Sequence, residues 1–267
     1  MKYKLGAIGF GNMGGAIIRG ALSAGLFSKG DVAVFDKLID AREKCEREGI
    51  PFLSSALELF ESCEKVLFAV KPQGMEALLA ELSSAKKPYP CVISIVAGYP
   101  SEKIRARLPG VHVVRVMPNT PLLLGCGATA LCACDGTTDA ELKAAKALFD
   151  PLGETAVLTE DKMNAVIAVN GSSPAFVYYY IEALARWGEE NGLSYGDCLR
   201  LCAKTFEGAA KMVLEGKTPV PELIRRVCSP GGTTLAAMEV LEREKAGETL
   251  ARAADACTKR AEELAKM

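Results

Sequence analysis

The sequence predicts an α/β protein, with a Rossmann-type doubly wound sheet in the N-terminal part followed by an all-α domain. Three observations predict it. Short β-rich runs alternate with helical runs through the first half of the chain. A Gly-x-Gly-x-x-Gly stretch, Gly9-Phe-Gly-Asn-Met-Gly14, follows the first of those runs and opens a helix. Beyond residue 160 the β-rich runs cease and long segments of helical periodicity replace them. The boundary is accordingly drawn between residues 1–160 and 161–267.

Taken in order, Tyr3–Gly9 reads as the first strand and Ala16–Leu22 as the helix after it. Val32–Phe35, Val66–Val70, Val92–Val96 and His112–Val116 continue the series. Apolar strands buried on both faces and separated by helices form βαβ units and hence a parallel sheet. In the second domain Phe176, Tyr179, Tyr180, Ala183, Leu184 and Trp187 recur at helical spacing, as do Leu199, Cys202, Ala203, Phe206, Ala210 and Val213. Gly192 and Gly216 mark helix stops, the latter followed by Pro219 and Pro221. Pro174 is expected to kink a helix near Asn170–Ser173, because its ring costs a hydrogen bond and clashes with the preceding turn. These stripes hold more apolar surface than one small domain buries, so an all-α dimerisation domain is expected.

Composition narrows the partners. Of 267 residues 49% are hydrophobic and the net charge is -1, which gives a core-forming chain without the basic footprint of a nucleic-acid or anionic-membrane binder. The basic start Met1-Lys-Tyr-Lys4 imitates a secretory signal, but Asn12, Arg19 and five glycines between Gly6 and Gly15 interrupt the apolar run. No uninterrupted apolar stretch of about 18 residues occurs, so a cytosolic protein is expected. The 10 cysteines include no CxxC pair, which argues for reduced, half-buried thiols and against a bound metal.

In the glycine motif, Gly9 permits a tight turn, Gly11 lets backbone N–H groups approach a pyrophosphate, and Gly14 lets helix and strand pack closely. Ile8, Phe10, Asn12 and Met13 complete that candidate cofactor loop. Asp36 ends the second strand, where a carboxylate accepts hydrogen bonds from ribose hydroxyls and repels a 2′-phosphate; this favours NADH. Lys37 and Arg42 offer a phosphate an alternative partner and keep NADPH open. Further candidate cofactor residues lie in loops after other strands: Ala69, Val70, Lys71 and Pro72; Ala97 and Gly98; and Met117, Pro118 and Asn119. On chemistry alone the two proline-containing loops read equally well as rigid turns.

Six stretches in order across nearly the whole chain resemble the pyrroline-5-carboxylate reductase family. They are Ile8–Gly14, Ala69–Pro72, Arg115–Pro121, Gly171-Ser-Ser-Pro-Ala175, Gly208-Ala-Ala-Lys-Met212 and Val227-Cys-Ser-Pro-Gly-Gly-Thr-Thr234. The last is close to that family's signature, whereas the first fits many dehydrogenases. The resemblance implies reduction of a cyclic imino acid to proline by NADPH or NADH, and a dimer formed through interlocking helical domains, sometimes assembled further into a ring. It also implies that substrate binds at Ser229, Pro230, Gly231, Gly232, Thr233 and Thr234, in a cleft completed by the neighbouring chain's cofactor domain.

Local chemistry alone reads Ser229–Thr234 as a turn and a helix cap. With Thr233 or Thr234 as the expected capping residue, neither Ala236 nor Ala237 supplies the Glu or Gln of a capping box, which is compatible with an external carboxylate on the N–H groups of Gly231, Gly232 and Thr233. Thr234 is the candidate catalytic hydroxyl, facing the imine nitrogen. The one histidine, His112, is assigned to the start of a buried strand as a structural residue. Two other readings are weaker. A β-hydroxyacid-type dehydrogenase calls for Asn four residues after a catalytic Lys, but Val166 follows Lys162 at that distance. A dinucleotide sensor without a reaction would have little use for an intact Ser229–Thr234 loop.

Overall fold

The computed structural model describes residues 2–266. The chain divides into two compact units: the part up to Ser172 together with the stretch from Cys257 onward, and Ser173–Ala256 between them. In the first unit seven strands form one sheet: β1 (Leu5–Ile8), β2 (Val32–Phe35), β3 (Lys65–Phe68), β4 (Cys91–Ser94), β5 (Val113–Met117), β6 (Gly127–Ala133) and β7 (Gly153–Val157). Their order is β2-β1-β3-β4-β5-β6-β7. The first five run parallel, as expected from their apolar runs; β6 is antiparallel to β5, and β7 is parallel to β6.

Helices cover both faces, the doubly wound arrangement. On one face Val66, Phe68, Val92 and Val113 meet α3 (Ala56–Ser62), α4 (Met75–Leu82) and α5 (Ser101–Arg107) through Leu59, Phe60, Leu79, Leu82 and Ile104. On the other, Leu5, Val34, Leu67, Ile93 and Val114 meet α1 (Asn12–Ser23), α2 (Ile39–Glu48) and α6 (Asp139–Phe149) through Ile17, Ile18, Cys45, Leu148 and Phe149. The last two strands were not expected. β6 is built largely from Gly, Ala, Thr and Cys, and β7 has no buried residue. β6 is drawn into the sheet by the hydrogen-bonding edge of β5, and β7 by that of β6, more than by their own propensity.

One half-buried ion pair anchors the chain after β7. Arg115, in the interior of β5 and 6% exposed, reaches Glu160 at 3.2 Å. Glu160 also accepts the backbone N–H of Ser101 at 3.0 Å and its hydroxyl at 2.7 Å. Burial pushes the Glu160 carboxyl up, but hydrogen bonds from Ser101 and Cys134 and the Arg115 charge outweigh it and hold it below its ordinary range. Residues 161–172, assigned by sequence to the helical domain, belong to the sheet-bearing unit, where Met163, Ile167, Ala168 and Asn170 are buried.

One helical segment ends and another begins where a kink was expected, just ahead of Pro174. A π-helical turn, Ile167–Gly171, ends just before it, and α7 (Ser173–Glu190) begins one residue ahead of it. In a first helical turn its missing N–H has no carbonyl to lose. The second unit continues with α8 (Tyr195–Glu215), α9 (Val220–Val227), α10 (Thr233–Arg243) and the greater part of α11 (Ala246–Lys266). α7 and α8 pair closely where Gly188 faces Cys198; a Cβ on Gly188 would stand 2.4 Å from the Cys198 sulfur.

Periodicity located these helices, yet the stripe finds no core within the unit. Tyr179, Tyr180, Leu184, Trp187, Leu199 and Val213 are exposed, and Ala185 and Gly188 are the buried residues of α7. So much contiguous apolar surface on one unit is the mark of an interface.

Replacing Glu160 by Gln should cost about 1–3 kcal/mol of stability at pH 7. Because the folded carboxyl titrates below its unfolded value of about 4.3, its contribution is complete above that value and is lost as pH falls through the lower folded one. Denaturant titrations of the two proteins should therefore differ at neutral pH and converge in acid.

Candidate active site

The first turn of α1 is built to leave N–H groups open. Its N-cap is Gly11, which offers no side-chain oxygen, and no acidic residue occupies the first turn. Gly15 N–H already donates to Gly11 O, so the N–H groups of Asn12, Met13 and Gly14 point out of the helix start without helical partners. A Cβ imagined on Gly11 meets nothing within 4 Å, so there is open space above it. Below, the packing is tight. Gly9 has φ +103 and its imagined Cβ falls 2.5 Å from the Ala69 carbonyl; one on Gly14 falls 2.2 Å from the Gly9 carbonyl. The sequence assigned these roles to the three glycines, and the backbone has the matching clearances.

At the carboxyl ends of β1, β2 and β3 a cavity of about 380 Å³ opens beside this turn. Ile8, Gly9, Gly11, Asp36, Lys37, Ala69, Val70 and Lys71, all candidates from sequence, line it. So do Phe35, Leu38, Gly74 and Leu78, which sequence reasoning missed. Leu38, an apolar residue directly after the Asp36-Lys37 pair, is 68% exposed. A larger open cavity lined by Lys87, Pro88, Tyr89, His112 and Glu141 lies at the amino ends of β4 and β5, away from the edge where doubly wound sheets bind ligands.

Asp36 does more than line the cavity. One carboxylate oxygen accepts the Phe10 N–H at 2.7 Å and the other the Leu38 N–H at 2.9 Å. The carboxylate is thereby pinned between the glycine turn and its own loop, with lone pairs left over for ribose hydroxyls. Arg42, offered by sequence as a phosphate partner, is instead engaged by Glu46 at 3.1 Å. Phe10 is 2% exposed, its ring lying beneath the Arg19 guanidinium at 5.0 Å. It and Gly14 support the turn from below.

The remaining candidates spread along the same edge. Pro72 opens a short 3-10 turn, Pro72–Gly74. Ala97 is half-buried, and Gly98, with φ +66, is buried where its imagined Cβ would press on Leu264 at 3.0 Å. Met117 is half-buried at the end of β5, while Pro118 and Asn119 are buried. The Asn119 amide accepts from Ala128 N–H at 2.9 Å and donates to Asn170 O at 3.1 Å, which engages it inside the protein.

Ser229–Gly232 lies in the helical unit and forms a tight turn. Gly232 N–H donates to Ser229 O at 2.9 Å, with Pro230 second and Gly231 third at φ +68, a type II arrangement. Gly232 is the N-cap of α10, without a side-chain cap. This corrects two expectations. No threonine caps the helix, since Thr233 and Thr234 are its first two residues. The Gly232 N–H is spent on the turn, so an external carboxylate would find Thr233, Thr234 and Leu235 N–H, the groups ahead of the first helical bond, Ala236 N–H to Gly232 O. Thr234 is half-buried and Thr233 exposed. As at α1, no acidic side chain occupies the first turn, whereas α3, α6 and α8 start with capping Ser55, Thr138 and Ser194.

His112 sits immediately before β5, half-buried, its Nδ1 2.8 Å from Glu141. All ten cysteines are free thiols; Cys63 and Cys91 are pushed up to about 12 by burial. Among the described residues no three His, Cys, Asp or Glu side chains gather as metal ligands would, and no helix is long and apolar enough to cross a membrane.

Comparison with known proteins gives two family matches. Residues 160–264 match the model described as pyrroline-5-carboxylate reductase dimerisation, and residues 4–98 the one described as NADP oxidoreductase, coenzyme F420-dependent. The pyrroline-5-carboxylate reductase of Escherichia coli K12 is 34% identical over all of both chains. A solved structure of a Coxiella burnetii pyrroline-5-carboxylate reductase superposes with a TM-score of 0.90 at 30% identity, covering 100% of each chain. That of the Plasmodium falciparum enzyme, solved with NADP bound, gives 0.86 at 29% identity and 99% coverage of each.

The clearances separate two glycines experimentally. Gly11→Ala should fold with stability within about 0.5 kcal/mol of the parent yet bind dinucleotide about tenfold more weakly, since the methyl enters the space above the helix start. Gly14→Ala should lose about 1–3 kcal/mol of stability itself, because its methyl meets the Gly9 carbonyl. Thermal unfolding paired with calorimetric binding reads both.

Proposed function

The chain belongs to the pyrroline-5-carboxylate reductase family, and on that premise we propose how its residues reduce L-1-pyrroline-5-carboxylate to L-proline, the last step of proline biosynthesis. The observation that carries the assignment is the Ser229–Gly232 turn opening α10 with uncapped N–H groups, in the stretch closest to the family's signature. Such a helix start is an anion site, and the substrate carries one carboxylate. Thr233, Thr234 and Leu235 N–H take that carboxylate, while the Thr234 hydroxyl orients the imine nitrogen. The bound NADPH or NADH supplies the hydride to the imine carbon.

On the sheet-bearing unit, Asn12, Met13 and Gly14 N–H hold the coenzyme pyrophosphate. Phe35, Leu38, Val70 and Leu78 give the adenosine an apolar seat. The pinned Asp36 carboxylate accepts from ribose hydroxyls and favours NADH; Lys37, on the same cavity wall, is the nearest partner for the 2′-phosphate of NADPH. The protein is a homo-oligomer, and we assign its contact surface to the apolar faces of α7, α8 and α10. A cytosolic location agrees with this biosynthetic role.

Purified protein given reduced coenzyme and pyrroline-5-carboxylate should oxidise the coenzyme and release proline; coenzyme binding with the imine left unreduced would overturn the assignment. Thr234→Ala should lower kcat by about 10²-fold or less, the scale of a positioning or proton-relay group, with coenzyme affinity unchanged. In Asp36→Ser, the ratio of kcat/KM with NADPH to that with NADH should rise about tenfold, the equivalent of about 1.4 kcal/mol. Both coenzymes should also bind less tightly, because Phe10 and Leu38 N–H lose their anchor.

A further inference from the structure

β5 leaves the sheet at Pro118, a residue with no N–H to continue the ladder with β6. The register pairs Met117 with Ala130, and its continuation would set Pro118 opposite Thr129 and Asn119 opposite Ala128. Its backbone is nevertheless satisfied twice, by side chains. Ala128 N–H donates to Asn119 Oδ1 at 2.9 Å, and Asn170 Nδ2 donates to Ala128 O at 2.9 Å. The same Asn170 Nδ2 donates to Met117 O at 2.7 Å, and Asn119 Nδ2 donates to Asn170 O at 3.1 Å. Two side-chain amides thus satisfy Ala128 where the backbone of β5 has left the ladder. Both are buried, at 8% and 7% exposed.

Asn170 belongs to the π-helical turn Ile167–Gly171, a geometry that recurs at functional sites. Gly171 follows it because Met117 packs there: a Cβ would stand 2.3 Å from the Met117 methyl. The arrangement is costly, since Asn170 Oδ1 is buried without a partner. A core that needed only to be filled would not retain it.

We infer that Asn119 and Asn170 form an amide clasp that positions the Met117–Pro118 peptide, and through it the nicotinamide half of the coenzyme, for hydride transfer. The inference rests on the coenzyme reading above. Asp36 on β2 fixes the adenosine end, so a dinucleotide lying along the carboxyl edge in the order β2-β1-β3-β4-β5 brings its nicotinamide end toward β4 and β5. The two asparagines are positioning residues, acting through the Met117 carbonyl, and Asn119 is reassigned from coenzyme contact to this role.

The test uses the full-length protein with Asn119→Ala, Asn170→Ala and the double variant. Each single change should lower kcat about tenfold and raise the primary deuterium isotope effect on kcat. Affinity for ADP-ribose, or for its 2′-phosphate where NADPH is preferred, should stay within about twofold because that fragment lacks nicotinamide. The double variant should be no worse than the poorer single, as expected of residues acting as one unit. Unchanged kcat, strictly additive losses, or fragment affinity falling in step with kcat would each overturn the clasp. If Asn170→Ala does not fold, Asn170→Ser, which keeps a hydroxyl donor, carries the same readouts. The ratio of reduced-coenzyme to fragment affinity needs no imine, so it judges the clasp even where the parent leaves pyrroline-5-carboxylate unreduced; that outcome would overturn the functional reading alone.

Discussion

The approach of the glycine turn to the end of β3 is the constraint on which the coenzyme side of the molecule depends. Gly9 lies so near the Ala69 carbonyl, and Gly14 so near Gly9, that neither position has room for a β-carbon. That closeness lets α1 start directly over the parallel sheet, with its open N–H groups at the carboxyl edge. The pinned Asp36 carboxylate joins the same turn to the loop after β2 through Phe10 and Leu38 N–H. The open helix start and the pinned carboxylate are therefore one mechanical piece.

The helical unit answers to a different constraint. Its helices carry long apolar stripes, yet α7 buries only Ala185 and Gly188, and α8 only Cys198, so the stripes cannot have been selected for a core within the chain. They belong to an interface. The match of residues 160–264 to a dimerisation model accounts for the surplus without further assumptions.

Much of this was legible in the sequence, and the failures have physical causes. Parallel strands announce themselves as Val- and Ile-rich runs because both faces are buried. β6 and β7 do not, since their places come from the edges of β5 and β6 in turn and not from bulky side chains of their own. The glycine motif carried its meaning in spacing, and its roles follow from the backbone clearances. The Ser229–Thr234 loop was recognisable as a turn before a helix, but which residue caps it depends on backbone angles that composition does not encode; Gly232 takes the place expected of a threonine. Asn170 gave no local signal, because its bonds join residues 42 and 53 positions away. Leu38 was visible only as an apolar residue beside charged ones, and nothing in its neighbours' spacing tied it to the cavity.

The placement of the single histidine bears on what kind of chemistry the protein can do. His112 stands at the amino end of β5, held by Glu141, while the coenzyme edge is the carboxyl end of the same sheet. Glu141 in turn closes the capping box at the start of α6 through Thr138. The histidine is thus part of the scaffold, and the candidate substrate turn contributes hydroxyls and backbone N–H groups but no strong acid. A reaction that required proton donation to a poor leaving group would be badly served by such a site. Hydride addition to an imine that takes its proton from solvent asks only for orientation and for a held carboxylate. Two helix starts free of side-chain caps and first-turn acids, one on each unit, are suited to holding a coenzyme and an imino acid by their anionic groups.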